Sequence, residues 1–360
     1  MLKIKTITCH NVYNAGASLQ AYALSTYLQQ LGHDVEIIDY RPAYLKHYKI
    51  WGVDNPAYDR PLLREAYNIL KLPRRLRARR ELSKKRFDAF TQQFLKLSGR
   101  TYHNVSELCA DPPQADVYIA GSDQIWNTLF PNGRDPAFYL TFAPEGTVRA
   151  SYAASFATDH IEKDCIEQVK GWIRKFDYIS VRESTGVELA KLLGVKCSRS
   201  VDPVFLLPKE AWEKIAVQPS NAEPYILMYD FDQNEELLRT ARKLASEHDW
   251  KLWSVFPHAE CDRCLNDAGP LEFLGLVQNA QMVLSNSFHA TAFSMIFERP
   301  FQVFDRKENI NTRMRDLLTS VGIIENGASE FGDINNVLQK QVSDSKNYIQ
   351  SVLEAAGGAE

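Results

Sequence analysis

Twice along this chain, short apolar runs alternate with segments of helical periodicity, and a proline-bounded stretch separates the two series. That double alternation limits the fold more than any other pattern in the sequence. The first series reads as strands at 3–9, 35–40, 116–121, 149–156 and 178–182, with helices at 17–31, 161–174 and 185–193. Strands that alternate with helices make a mostly parallel sheet covered on both faces. The seam at 201–208 is apolar but bounded by Pro203 and Pro208, and 216–224 reads as a linker. A second series follows, with strands at 225–229, 251–256, 281–284 and 301–304. Its helices fall at 234–248, 271–279, 290–298 and 312–321, and a terminal helix at 334–353. At 360 residues the chain exceeds one ordinary core. The expectation is an α/β protein of two domains, 1–205 and 206–330, followed by a C-terminal helix and tail at 331–360.

Bulk composition excludes more than it assigns. The chain is 45% apolar and 24% charged with a net charge of −3, an ordinary globular balance. No global basic excess and no nucleic-acid-reading motif is present, so no nucleic acid partner is expected. The opening residues are too short an apolar stretch for a signal peptide, and no run approaches the ~20 residues of a membrane span. The expected location is cytoplasmic. Six scattered cysteines fit reduced thiols better than a disulfide framework. Cys261 and Cys264 form the one close pair, with His258 as neighbour, and a polar loop accounts for them more simply than a metal or redox site. Carboxylates are dispersed and no histidine pair has ligand spacing, so no metal is expected.

One insertion breaks the first series, a basic helical arm at about 60–100. Within it, residues 71–86 hold nine basic side chains against Glu81 alone. A solvated helical face explains such a run most simply. The sharper alternative is contact with anionic lipid headgroups or a diphosphate-linked acceptor, a peripheral attachment at the inner membrane face.

The most informative short segment is Ser285-Asn286-Ser287-Phe288-His289-Ala290. A buried strand ends there and a helix begins, with Asn286 and Ser287 as capping residues. First-turn amides of such a helix favour a phosphate or carboxylate, and His289 can move a proton beside it. A buried structural histidine is the plainer reading of the same residue.

Other polar groups gather at predicted strand ends, where open α/β sheets bind ligands. Asn14, Gly16 and Ser18 form a strand–loop–helix junction of small residues, without the three glycines of a dinucleotide fingerprint. Asp39 stands where a ribose-binding acid would, but means little without those glycines. Ser122 and Asp123 follow another strand; Asp123 suits a base or a hydroxyl-orienting group, or with Ser122 a helix cap, and Trp126 offers an apolar face to a sugar ring or, more simply, a core side chain. Arg182 ends a strand and can grip an anion through two parallel hydrogen bonds. Arg306 and Lys307 follow the strand after the histidine helix, and Arg313 opens the next helix. Each cation alone reads as a solvated charge, but all lie on the same edge as His289.

Six segments taken in order resemble the polysaccharide pyruvyl transferase family: NAGASLQAYAL, IAGSDQIWN, YAASF, ISVRESTG, VDPVFLL and SNSFHATAFSMIFERPF. The resemblance covers roughly 1–320 and implies two Rossmann-like domains facing across a cleft, a GT-B-like arrangement. It implies transfer of pyruvate from phosphoenolpyruvate to a lipid-linked saccharide as a ketal, in exopolysaccharide or capsule synthesis, without a cofactor. It places the acceptor on the first domain, at Asn14, Gly16, Ser18, Ser122 and Asp123. The donor falls on the second, at Ser287, Phe288, Arg306, Lys307 and Arg313. His289 and Arg182 become the catalytic pair. Many relatives look like Ser-x-Arg-Leu-His, with arginine two residues before the histidine; here Ser287 takes that place. Two rivals share parts of the pattern: a GT-B glycosyltransferase using a sugar nucleotide, and a non-catalytic carbohydrate-binding or assembly protein.

Overall fold

In a computed structural model, the described residues are 1–45, 82–220, 223–258, 260–307, 312–323, 327–328 and 330–357. Residues 46–81 carry most of the expected basic arm, so the lipid- or diphosphate-contact expectation for 71–86 falls largely outside the described residues.

The first sheet holds seven strands, all parallel: β1 (Lys3–Ile7), β2 (Asp34–Tyr40), β3 (Leu97–Tyr102), β4 (Val117–Asp123), β5 (Val148–Ala154), β6 (Ser180–Val181) and β7 (Ser198–Arg199). Their spatial order is β3-β2-β1-β4-β5-β6-β7. The second sheet holds β8 (Tyr225–Tyr229), β9 (Lys251–Ser254), β10 (Arg263–Cys264), β11 (Met282–Ser285), β12 (Phe301–Val303) and β13 (Gly327–Ala328). Its order, β10-β9-β8-β11-β12-β13, repeats the same winding, with β13 alone antiparallel. The chain is therefore two Rossmann-like units of GT-B-like arrangement. In each sheet the order reverses between the first strand and its later neighbour, at β1/β4 and at β8/β11. Ligands of such sheets bind outside the carboxyl ends of the strands at that switch.

The central strands are apolar because both faces are covered; Ile4, Ile7, Val117, Ile226 and Val283 have no exposed surface. The Ala15–Gln30 helix is buried nearly all round. Leu24 and Leu28 pack with Ile4 and Val35 of its own sheet. Leu19 and Ala23 join a cluster with Trp212, Phe273 and Phe293 of the second unit. Such all-round apolarity marks a helix sandwiched between two bodies. Its Tyr22 ring meets Trp212 edge-on at 5.7 Å, and Trp212 meets Phe293 at 4.9 Å. The helix begins two residues earlier than the periodicity suggests, because Asn14 Oδ1 accepts the Ala17 amide and caps it.

The terminal helix, Gly332–Gly357, spans both units. Ile334 and Leu338 lie in the second unit's cluster, whereas Ile349, Val352 and Leu353 pack beneath the first sheet. Midway, Ser345 Oγ accepts the Val201 amide at 3.0 Å, tying the helix to the segment that first crosses between the units. Among the described residues, no helix is long and apolar enough to cross a membrane.

Candidate functional site

The second switch point is built by side chains at the ends of β8 and β11. Asn286 Nδ2 donates to Asp230 Oδ1 at 2.6 Å, and Asn286 Oδ1 accepts the Phe231 amide at 3.0 Å. Asp230 also accepts the Asp232 and Asn234 amides, so one carboxylate fixes the whole loop after β8. Ser287 is the N-cap of the Phe288–Phe297 helix, its Oγ accepting the Ala290 amide at 3.4 Å. Helix geometry leaves the Phe288 and His289 amides without intrahelical partners, an electropositive pair at the cleft.

His289 is 7% exposed, and its Nε2 lies 3.5 Å from Asp202 Oδ2, too far for a formed hydrogen bond. The other side of the ring rests on Gly16 of the first unit. A Cβ added there would sit 1.9 Å from Nδ1, so only glycine lets the two units close on the imidazole.

Behind His289 is a buried charge network. Arg182 pairs through Nη1 with Asp202 and lies 3.4 Å from Asp123. Arg313 Nη1 approaches the same Asp123 oxygen at 3.3 Å. Both guanidinium groups stand over the Phe288 ring, at 4.6 and 5.8 Å. Glu183 Oε1 accepts the Phe156 and Ala157 amides and the Ser155 hydroxyl. Burial opposes the charge on Asp202, yet His289 and Arg182 hold its carboxyl well below the usual carboxylate range. Burial likewise opposes the charge on Asp123, and Arg182, Arg313 and His289 lower it. Burial and the neighbouring Arg182 push the Arg313 guanidinium down to about 10, so it remains charged at neutral pH.

Several atoms here are buried without a hydrogen-bond partner among the described residues: His289 Nε2, Arg182 Nε, Arg313 Nε and Glu183 Oε2. Leaving such groups unpaired costs about 1–3 kcal/mol each. Of the four, those of His289 and Arg313 belong to residues that line the cavity, where a polar ligand could satisfy them.

Local backbone chemistry aims Asp123 at this point. Its φ of 69° lies in the left-handed region, unusual for a residue other than glycine. Gly121 upstream cannot be replaced without collision, since a Cβ would stand 2.1 Å from the Tyr152 carbonyl. Gln20 Oε1 accepts the Ser122 amide at 3.2 Å, and Thr8 Oγ1 donates to the Ser122 carbonyl at 3.0 Å. These two side chains hold the turn from behind.

The expected residues divide accordingly. Asn14, Asp123, Ser287, Phe288, His289, Arg306 and Arg313 line one cavity of about 80 Å³ between the units. Gly16 underlies His289. Ser122 is buried and its hydroxyl is used on the Ala153 carbonyl; the Ser18 hydroxyl is buried too. Arg182 stands behind the wall, held by Asp202. Arg306 stacks on Phe231 at 4.7 Å and lies 3.4 Å from Asp232. Lys307 is exposed, folded back with Nζ on the Asp232 carbonyl at 3.2 Å and outside the cavity lining. Trp126 is fully buried, stacked on Tyr139 at 5.5 Å, so it belongs to the core. Asp39 is engaged by His10, Arg41 and Thr101. Sequence reasoning passed over Asp202 and Gln20, and took Glu183 only as a surface partner for Arg182. Only Asp202 carried a local signal, an Asp-Pro turn whose Oδ1 caps the Pro203–Leu206 turn through the Val204 amide at 3.1 Å. Cys261 and Cys264 are unbridged, and no cluster of three or more His, Cys, Asp or Glu able to hold a metal occurs among the described residues.

The family profile described as polysaccharide pyruvyl transferase matches residues 14–308, which contain every cavity-lining residue just named except Arg313. No curated protein gives a significant match. Among solved structures, a UDP-N-acetylglucosamine 2-epimerase from Listeria monocytogenes, described as putative, is similar at 9% identity. It has a TM-score of 0.54, covering 96% of this chain and 89% of that one. The S. aureus MnaA co-structure with UDP is similar at 11% identity and a TM-score of 0.50, covering 97% of this chain and 90% of that one. These likenesses concern the fold.

Proposed function

This chain belongs to the polysaccharide pyruvyl transferase family, and from that premise we propose that it moves pyruvate from phosphoenolpyruvate onto a saccharide, bridging two hydroxyls as a ketal. The observation that carries the reading is the setting of His289. Its buried Nε2 has no hydrogen-bond partner among the described residues, it stands in the first turn of a helix, and Arg306 and Arg313 share its cavity. A carboxylate and a phosphate on one small molecule suit that combination of amides and guanidinium groups.

Chemically, the enol methylene of the donor takes up a proton and becomes a methyl group. One acceptor hydroxyl oxygen bonds to the adjacent carbon and a second displaces the phosphate there. The two hydroxyl protons end on the methyl carbon and on phosphate, so the reaction balances without an oxidant. In this scheme His289 delivers the proton and later receives one from a hydroxyl. Arg313 and the Phe288 and His289 amides bind donor oxygens, and Arg306 supplies a further charge. Arg313 stands in for the arginine that many relatives carry where this chain has Ser287. Arg182, held by Asp202 behind the wall, is a positioning residue: it keeps Asp123 ionised and Phe288 in place. Asp123 and Asn14 face the acceptor, and a lipid-linked saccharide used at the inner membrane face fits this chemistry.

The test is incubation with phosphoenolpyruvate and a panel of hexosides, following phosphate release and mass gain of the sugar. A parallel arm supplies UDP-sugars instead. Phosphate release with a ketal-bearing product supports the reading; glycosyl transfer from the UDP-sugar, without ketal, overturns it.

A further inference from the structure

A cavity of about 80 Å³ holds a compact anion but not a saccharide beside it. A second cavity, of about 330 Å³, shares Asn14 and Phe231 with the first. Its volume falls at the lower end of the range for small-molecule sites, about 300–1,000 Å³. We propose that this second cavity binds the pyranose ring of the acceptor; the inference rests on the pyruvyl-transfer reading for the identity of its neighbour, the donor.

Both units build its walls. Tyr13 and Phe87 come from the first, their rings 5.8 Å apart and edge-on. Phe231, Phe256 and Tyr229 come from the second, with Phe231 and Phe256 tilted at 4.9 Å and Tyr229 edge-on to each. Phe231 is the partition: Arg306 stands over its ring on the anion side. A pyranose has apolar C–H faces and a rim of neutral hydroxyls. Aromatic rings match the faces, and Asn14, Ser83 and Asn266 supply amide and hydroxyl groups for the rim. No Asp or Glu lines the cavity among the described residues, and its one charged lining residue, buried Lys84, stands with Nζ 5.9 Å from the centre of the Tyr13 ring, so it is not built for a cation. Asn14 belongs to both cavities, which puts a hydroxyl-bearing edge of the ring beside the anion pocket.

Saturation-transfer NMR on the full chain, with methyl glucoside, galactoside and mannoside and without phosphoenolpyruvate, reads the site without turnover. At least one glycoside should show transfer. Phe256→Ala and Tyr13→Ala should weaken its dissociation constant tenfold or more, with phosphoenolpyruvate affinity changed less than twofold. Phe256→Leu removes the ring at nearly constant bulk; its thermal unfolding separates lost recognition from lost folding. Absence of transfer from every glycoside, or equal loss of glycoside and phosphoenolpyruvate affinity, overturns the proposal. Uridine binding there in preference to all three sugars also overturns it, because the cavity then recognises a base. Glycoside binding that depends on Phe256, without phosphate release when phosphoenolpyruvate is added, upholds the subsite and sinks the pyruvyl-transfer reading instead.

Discussion

The His289 ring rests on Gly16 of the opposite unit, with room for a hydrogen but not for a methyl group. The contact makes the position of the imidazole depend on how the two units meet. It also explains why a small residue is needed in the first turn of a helix that would otherwise gain from alanine.

Gly16→Ala reverses the usual rule. In an open helix the change stabilises by about 0.5–1 kcal/mol. Here the new methyl must displace the ring or part the units. We expect at least a tenfold fall in kcat, with no rise in melting temperature. Steady-state kinetics and calorimetry check both; full activity would mean the ring has another resting place.

His289→Ala should reduce pyruvyl transfer by about 10²–10⁴-fold, the usual contribution of a positioned acid or base. Phosphoenolpyruvate binding, followed by titration calorimetry, should survive. Retention of the full transfer rate would refute the proposed proton role.

Arg313→Ala should act on the donor. Burial and Arg182 already disfavour its charge, and a bound anion relieves both. The dissociation constant for phosphoenolpyruvate should rise by about 10–100-fold, given 1.5–3 kcal/mol for a hydrogen bond to a charged group. Acceptor binding should change little. An equal loss for both ligands would point to a collapsed cleft.

Asp202→Asn tests the network and its pH dependence. Removing one partner of a buried ion pair costs about 3–5 kcal/mol, so the urea midpoint should fall clearly. The folded pKa of Asp202 is depressed. Its stabilisation is therefore present above the unfolded value and is lost as pH falls below about 4. Urea unfolding from about pH 7 down to pH 3 should show a shallower acid-side decline for the variant than for the parent chain. Parallel curves would mean that the charge on Asp202 contributes nothing.

Features that depend on neighbouring residues were legible in the sequence. Ser287 caps its helix as its side-chain chemistry indicates. Alternating apolar runs announced two parallel sheets, because strands covered on both faces leave an unmistakable pattern. What could not be read depends on distant partners. Arg182 read as an anion grip or as half of a surface pair with Glu183 or an aspartate; that the partner is buried Asp202 requires knowing where the crossing segment passes. Lys307 shared an edge with His289 on paper, yet Asp232 draws it outward. Gly16 looked like a turn glycine until the opposite unit supplied the ring it accommodates.

The helix that spans both units, tied at Ser345 to the first crossing segment, binds the molecule along one edge as a spine binds a book. Two covers joined in that way part at the fore-edge, and they part together. Any separation of the two units lifts His289 from Gly16, because the two residues stand on opposite units. In the pyruvyl-transfer reading proposed above, separation of the units and displacement of the acid from its resting place are then one movement.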